Sequence, residues 1–454
     1  MARLFGTDGV RGIAGGKLSA ALAFKLGFAG AYVLAGTPKD GKKAKILIGM
    51  DTRISGKMLE AALVAGITSA GADVYLAGVI PTPGISYLVK EKDMDCGIMI
   101  SASHNSYEYN GIKFFAGTGY KLPDETEDRI EEIINDFDNN YKDLKTGAEV
   151  GKVFELKEGG DLYASYISGL YDLDLSGLTI AIDCANGASS AFARKLFEGL
   201  GATLVMTGDS PDGININKDC GSTHLEHLSA LTLENKCDLG FAFDGDADRF
   251  LAVDPDGKII DGDTIMSIIA LAMKKEGSLK EDTLVVTIMS NLGVDIMAKK
   301  NGLKLVKTKV GDRYVLEEML KSGYNIGGEQ SGHVILSDYQ TTGDGMLTAL
   351  SLLNALKIEG KTLKEAASVI EILPQVLLKA EVSDEDKEKV MNDPDIKALI
   401  DSLASDLGDS GRILVRPSGT EPIIRVMLEG TDVGQIRDMA EKICGAIKVK
   451  YGRK

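Results

Sequence analysis

Ile46-Leu47-Ile48-Gly49-Met50, an Asp51-led loop, a helix-like run to Ala70, Gly71, then Val74-Tyr75-Leu76: this strand, loop, helix, strand unit recurs along the chain, and its recurrence decides the fold. A second copy opens at Leu178-Thr179-Ile180-Ala181-Ile182, passes Asp183 and an Asn186-Gly187 turn, and ends its helical run at Gly201 before Thr203-Leu204-Val205-Met206. The third opens at Leu284-Val285-Val286-Thr287-Ile288, runs as helix to Lys300, and resumes after Gly302 as a strand over 303–306. In each copy a glycine follows the helix, where a left-handed residue caps it without a Cβ penalty. Short β-branched strands alternating with helices build parallel or mixed sheets covered on both faces. From about Leu373 the pattern changes: an acidic stretch over 383–389 precedes a helix, and 411–416 and 423–428 read as strands. The expected architecture is three repeated α/β domains with mixed or parallel sheets plus a smaller α+β C-terminal domain. Changes of pattern set the boundaries at 1–157, 158–255, 256–371 and 372–454.

A chain of 454 residues is long enough for several such domains and an enclosed cleft. Its 44% hydrophobic and 26% charged residues are the balance of a soluble globular protein. A net charge of -16 argues against a nucleic-acid or anionic-membrane binder, so any phosphate must be met by local positive charge. The five cysteines are odd in number and scattered without a C-x-x-C pair, which suits reduced thiols and a cytoplasmic location. The stretch from Met1 to Gly6 shows no basic region followed by an apolar core, so no secretory signal is expected. The apolar stretch over 20–35 is too short for a bilayer and carries Lys25, so a buried helix is expected there.

Five motifs carry chemistry. Asp244-Gly245-Asp246-Ala247-Asp248-Arg249 follows an apolar strand, and three carboxylates at alternate positions in a turn repel one another unless a hard cation such as Mg²⁺ or Ca²⁺ sits among them. An EF-hand does not fit, since its glycine position is Arg249 and its last ligand position is Pro255; a solvated acidic turn is the bland alternative. Ser101-Ala102-Ser103-His104-Asn105 leaves a buried strand and precedes Asn110-Gly111-Ile112-Lys113, a setting for an exposed nucleophilic hydroxyl or for an ordinary turn. Gly328-Glu329-Gln330-Ser331-Gly332-His333 places Glu, Ser and His on a loop able to read vicinal hydroxyls. Arg416-Pro417-Ser418-Gly419-Thr420-Glu421-Pro422, with Arg425 beyond, reads as a phosphate cradle without the Walker pattern, with a structural turn as the alternative. Phe5-Gly6-Thr7-Asp8-Gly9-Val10-Arg11-Gly12 is a glycine-rich turn carrying Arg11. His224 and His227 read as a helix face, since no second cluster completes a tetrahedral shell.

In this order, from Phe5 to Arg425, the five motifs resemble the α-D-phosphohexomutase superfamily. The resemblance implies four domains around a central cleft, each contributing one loop. It implies that Ser103 carries a phosphoryl group and that Asp244, Asp246 and Asp248 hold Mg²⁺ beside it, with the Ser103 phosphoryl completing the metal site. Glu329 and Ser331 would contact sugar hydroxyls, while Arg416, Ser418, Gly419, Thr420 and Arg425 would hold the non-reacting phosphate. Arg11, Lys113, Arg249 and His333 resemble the family's cationic and acid/base residues, with the division of roles between Lys113 and His333 open. Gln330 and the following Asp338-Tyr339-Gln340-Thr341-Thr342-Gly343-Asp344-Gly345 resemble the branch that interconverts glucosamine 6- and 1-phosphates for amino-sugar nucleotide synthesis; the glucose and mannose branch usually has methionine at Gln330. Glucosamine 1,6-bisphosphate or glucose 1,6-bisphosphate is the implied activator, a phosphosugar the implied partner, and the family allows a homodimer. Ser106 and Tyr109 depart from the family's usual proline and acidic residue, which puts the rigidity of the serine loop in question. A phosphosugar-binding protein without turnover is the rival of a different class.

Overall fold

The computed structural model describes residues 3–6, 8–34, 42–140, 144–418 and 421–452. Four sheets form, in two compact units: one of residues 1–289 with 302–369, the other of 290–301 with 370–454.

The first unit holds three sheets. The six-stranded one runs Val10–Ile13, Tyr109–Ala116, Cys96–Ile100, Lys45–Met50, Asp73–Val79, Val153–Glu155 across its width. Its central strands are parallel and apolar beyond Lys45, with Ile46, Leu47, Ile48, Ile98, Met99 and Ile100 all buried. Such strands face a covered layer on both sides. Helices Ala20–Leu34 and Gly56–Ser69 pack together on one face, where Leu26, Leu59, Leu63 and Ile67 join Ile46 and Ile98 in one core. The helix expected over 20–35 is therefore present, and Ala23 with the run from Leu26 to Ala31 is buried. The five-stranded sheet runs Ile259–Ile260, Phe250–Val253, Leu239–Phe243, Thr179–Asp183, Thr203–Thr207, and the four-stranded one Lys304–Thr308, Thr283–Thr287, Ile326–Gly328, Val334–Leu336.

All three sheets are mixed, for one shared reason. After a parallel strand the chain turns back and adds an antiparallel strand: Tyr109–Ala116 beside Cys96–Ile100, Phe250–Val253 beside Leu239–Phe243, Val334–Leu336 beside Ile326–Gly328. The turns between these pairs are the serine, aspartate and Glu-Ser-His motifs. The glycines expected after the repeat helices, Gly71, Gly201 and Gly302, all have positive φ. In the second copy the helical run is broken, a 3₁₀ turn Ala188–Ala191 followed by helix Ala193–Gly199.

The second unit is an antiparallel sheet, Gln375–Glu381, Ile423–Gly430, Gly411–Pro417, covered by helices Pro394–Leu407 and Val433–Tyr451 around a core that includes Val376, Ile424, Val426, Leu428, Ile436 and Ile443. The first strand lies outside the sequence expectation. Helix Leu292–Lys300, read as the helix of the third repeat, belongs to this unit: Leu292 N–H donates to Glu429 (3.0 Å), and the Arg412 guanidinium bonds both Glu429 (2.9 Å) and the Ser290 carbonyl (2.7 Å).

Candidate active site

The serine loop leaves Cys96–Ile100 at Ser101, whose hydroxyl donates to Asp51 (2.7 Å) and accepts from the Ser103 N–H (2.9 Å). Ser103 itself sits in the left-handed region at φ 53°, uncommon for a residue with a Cβ. That twist delivers its Oγ 2.5 Å from Asp244 Oδ2, across more than a hundred residues of sequence. Gly245 is the point of closest approach: a Cβ there would lie 2.6 Å from the Ser103 carbonyl oxygen.

The aspartate turn follows the buried strand Leu239–Phe243, and Asp244, Asp246 and Asp248 are all buried with ligand oxygens within 4.8 Å of one another. Burial raises the Asp244 carboxyl well above its usual range, and the neighbouring Asp248 and Asp246 carboxylates raise it further. Asp246 behaves oppositely. Burial again opposes ionisation, but the Lys113 ammonium at 2.8 Å and the Thr82 hydroxyl at 2.6 Å hold it below the usual range. Asp246 Oδ1 and Asp248 Oδ1 are buried with no hydrogen-bond partner. Orphaned carboxylate oxygens inside a cluster of negative charge fit an oxygen-seeking dication.

Around the aspartates runs a closed circuit of carboxylates, ammonium groups and one imidazole. Asp8 meets Lys113 (3.0 Å), Lys113 approaches Asp248 (3.6 Å), and His333 Nε2 lies between Asp248 (3.9 Å) and Asp312 (3.7 Å). Lys121 closes the circuit with bonds to Asp312 (2.6 Å) and Asp8 (2.7 Å). Desolvation works against the Lys113 charge, but Asp246, Asp8 and Asp248 together raise its pKa, so Lys113 is held as a cation. Arg11 pairs with Asp8. Arg249, whose backbone N–H donates to Asp244 (3.2 Å), keeps a buried Nε without a partner, and both His333 ring nitrogens are likewise without a hydrogen bond. A side chain at Gly343 would collide with the His333 ring, so the imidazole has a fixed wall behind it. His104, whose Nδ1 is 3.4 Å from Ser103 Oγ, is lowered to about 4 by burial and by Arg249 and Arg11, and stays neutral at neutral pH.

The first unit thus brings Ser103, Arg11, Lys113, Arg249, His333 and the three aspartates into one cluster. Glu329 stands beside it and accepts from the Gly311 N–H (3.1 Å), while Ser331 is exposed on the same loop. Gln330 turns away: its amide donates to Asp261 (3.0 Å), the N-cap of helix Gly262–Glu276. In the second unit Arg416 and Arg425 are directly opposed on neighbouring strands, and Ser418 is buried at the turn between them. Arg425 bonds Glu421 (2.8 Å), whereas Arg416 has no such partner among the described residues and is lowered by burial and by Arg425. Gly419 and Thr420 lie outside the described residues. Sequence reading missed Thr82, Lys121, Asp312, Asp51, Arg53 and Asn217, and gave Asp8 no role. Of these only Asp8 and Asp51 stand in stretches quoted from the sequence, neither with a role in the site; the others reach it through the fold.

Models of the phosphoglucomutase/phosphomannomutase family match in four parts: alpha/beta/alpha domain I over residues 2–141, domain II over 161–257, domain III over 261–372, and the C-terminal domain over 377–446. A phosphoglucosamine mutase of Acetivibrio thermocellus is 54% identical, covering 100% of each chain. Among solved structures, a phosphoglucomutase/phosphomannomutase family protein of Burkholderia thailandensis superposes with a TM-score of 0.79 at 23% identity, covering 98% of this chain and 97% of its own. An Aspergillus fumigatus N-acetylphosphoglucosamine mutase, solved with GlcNAc-6P and magnesium, gives 0.66 at 19%, covering 98% and 95%.

Proposed function

Because the chain belongs to the phosphoglucomutase/phosphomannomutase family, we propose that it works as a phosphoglucosamine mutase, interconverting glucosamine 6-phosphate and glucosamine 1-phosphate. The observation that carries the chemistry is Ser103 Oγ seated 2.5 Å from the buried aspartate triplet. Asp244, Asp246 and Asp248 would hold Mg²⁺, which neutralises charge on phosphoryl oxygens when bound.

The chain's own residues do the rest. Phosphorylated Ser103 gives its phosphoryl group to the free sugar hydroxyl: the P–O bond to serine breaks, a P–O bond to the sugar forms, the sugar hydroxyl's proton passes to a nearby base, and the serine oxygen released takes up a proton to restore the hydroxyl. The sugar 1,6-bisphosphate turns over, and its other phosphoryl group returns to Ser103. Arg11, Lys113 and Arg249 supply fixed positive charge where the phosphoryl oxygens gather. Lys113, held charged by its carboxylate neighbours, serves as a cation, which leaves His333 as the better-placed proton carrier. Glu329 and Ser331 read sugar hydroxyls. Arg416, Ser418 and Arg425, with Gly419 and Thr420, take the phosphate that does not react, for which the unneutralised Arg416 is suited. Glucosamine 1,6-bisphosphate or glucose 1,6-bisphosphate would recharge a Ser103 lost to hydrolysis. Five buried free cysteines support a cytoplasmic setting.

Intact-mass analysis before and after addition of glucose 1,6-bisphosphate, with turnover measured on glucosamine, glucose and mannose 6-phosphates, tests this. The expected result is one added phosphoryl group on Ser103, its loss in Ser103→Ala together with activity, and the highest kcat/KM for the amino sugar. Turnover persisting in Ser103→Ala would overturn the phosphoserine route. A higher kcat/KM for glucose or mannose phosphate would reassign the substrate, a result Gln330 would not resist, since its amide is committed to Asp261.

A further inference from the structure

Building on the phosphoserine reading, we infer that Arg53 and Asn217 are positioning residues: they grip the backbone of the serine loop from two sides and hold Ser103 in its reactive, left-handed shape. Arg53 follows the strand Lys45–Met50, and its side chain is wholly buried. Its guanidinium donates to the carbonyls of Ser103 (2.9 Å), Asn105 (2.8 Å), Tyr109 (3.1 Å) and Ser106. Its Nε pairs with Asp51 (2.9 Å), which also accepts the Ser101 hydroxyl. One planar fork therefore engages three carbonyls of the serine loop and that of Tyr109 where the next strand begins, a geometry that the single ammonium of lysine cannot copy. Asn217 arrives from a different part of the first unit, itself at φ 56°, and its amide donates to the same Ser103 and Asn105 carbonyls, each at 2.9 Å.

The arrangement has a chemical consequence. Carbonyl oxygens repel a phosphoryl group, and these two residues draw the loop's carbonyls onto donors that are not part of the aspartate cluster. They also hold the positive φ that puts Ser103 Oγ against Asp244. The departures at Ser106 and Tyr109 are accommodated on the same terms, since Arg53 bonds their backbone carbonyls and not their side chains.

The test uses full-length Arg53→Lys and Asn217→Ala, each charged with glucose 1,6-bisphosphate and its phosphoserine content counted by intact mass. Melting temperature, Mg²⁺ affinity by calorimetry, steady-state kcat and KM for glucosamine 6-phosphate, and single-turnover transfer from phosphorylated Ser103 are then measured. A positioning role predicts that transfer per phosphorylated enzyme falls on the order of 100-fold in Arg53→Lys and about 10-fold in Asn217→Ala, as expected for a reacting atom misplaced by about an ångström. KM and Mg²⁺ affinity should stay within about threefold, because the bonds of both side chains go to loop carbonyls and Asp51 and none goes to Asp244, Asp246 or Asp248. Should Arg53→Lys fail to fold, Asn217→Ala decides. Variants that keep the wild-type transfer rate per phosphorylated enzyme, whatever their stability, would overturn this inference alone. A wild-type enzyme that takes up no phosphoryl group would overturn the reading beneath it as well.

Discussion

Lys121 shows at the scale of one residue how the cluster is balanced. It bonds Asp8 and Asp312 at 2.7 and 2.6 Å; without it Asp8 keeps Lys113 and Arg11, but Asp312 keeps the Arg313 N–H (2.8 Å) and, as its nearest basic side chain, His333 at 3.7 Å. Removing a charged partner from a mostly buried acid costs more than the pair contributes, because the acid left behind is poorly solvated. Lys121→Met should therefore lose about 2 kcal/mol in urea unfolding, and adding Asp312→Asn should recover part of it, a coupling that a double-mutant cycle reads directly. Equal, additive losses would mean that the two do not interact. Neither residue was legible in the sequence, and the reason is physical. Ser103 and the three aspartates announce themselves because a short segment concentrates one kind of chemistry; Lys121, Thr82, Arg53 and Asn217 act singly, and what brings them to the site is strand order. Nothing within ten residues of Asn217 could say that its amide meets the Ser103 carbonyl.

At the scale of elements, four loops hold the same topological place, each within its own sheet. The serine, aspartate and Glu-Ser-His loops and the Ser418 turn each join a strand to an antiparallel neighbour. The strand, helix, strand rhythm was readable in the sequence because hydrophobic periodicity and capping glycines are local. The returning strands of the first unit's three sheets were not, because functional residues replace the turn signal that marks an ordinary hairpin; that of the C-terminal hairpin was, over 423–428. In the C-terminal hairpin the opposed Arg416 and Arg425 repel unless an anion lies between them. Arg425→Ala should raise KM for the sugar phosphate about 10-fold, a loss of about 1.4 kcal/mol in binding, with little change in melting temperature. A helix of the third sheet's region supplies a pH prediction. Asp344 caps Gly345–Glu359, accepting from the Leu347 N–H and the Tyr163 hydroxyl, and burial raises it to about 6. Between the unfolded carboxyl's pKa and that value the native state binds the extra proton, so stability falls as pH rises from about 4 to about 6 and levels beyond. Asp344→Asn keeps an oxygen acceptor at the cap and removes the charge. Chemical unfolding across that range should show a shallower slope for the variant; an unchanged slope would exclude Asp344 as its source.

For the whole molecule, the decisive fact is where negative charge is stored. The chain carries a net -16, mostly at the surface where water screens it, but three aspartates are buried together in the first unit. Among the described residues no other group of three or more potential ligands clusters in this way. The second unit has its own apolar core and none of these ligands. A dication that binds the folded aspartate turn and not the unfolded chain stabilises the fold by mass action, about 2.7 kcal/mol at a hundred times its Kd. That stabilisation belongs to the unit that holds the site. Unfolding of a chain with two such cores need not be a single transition, and scanning calorimetry in EDTA and then in excess Mg²⁺ should separate them. The transition of the first unit should move up with Mg²⁺ while that of the second stays in place. Asp248→Asn should weaken the shift, and should raise stability in EDTA because it relieves repulsion against Asp244. Equal displacement of both transitions, or none in either, would mean that the aspartate turn is not where the ion binds.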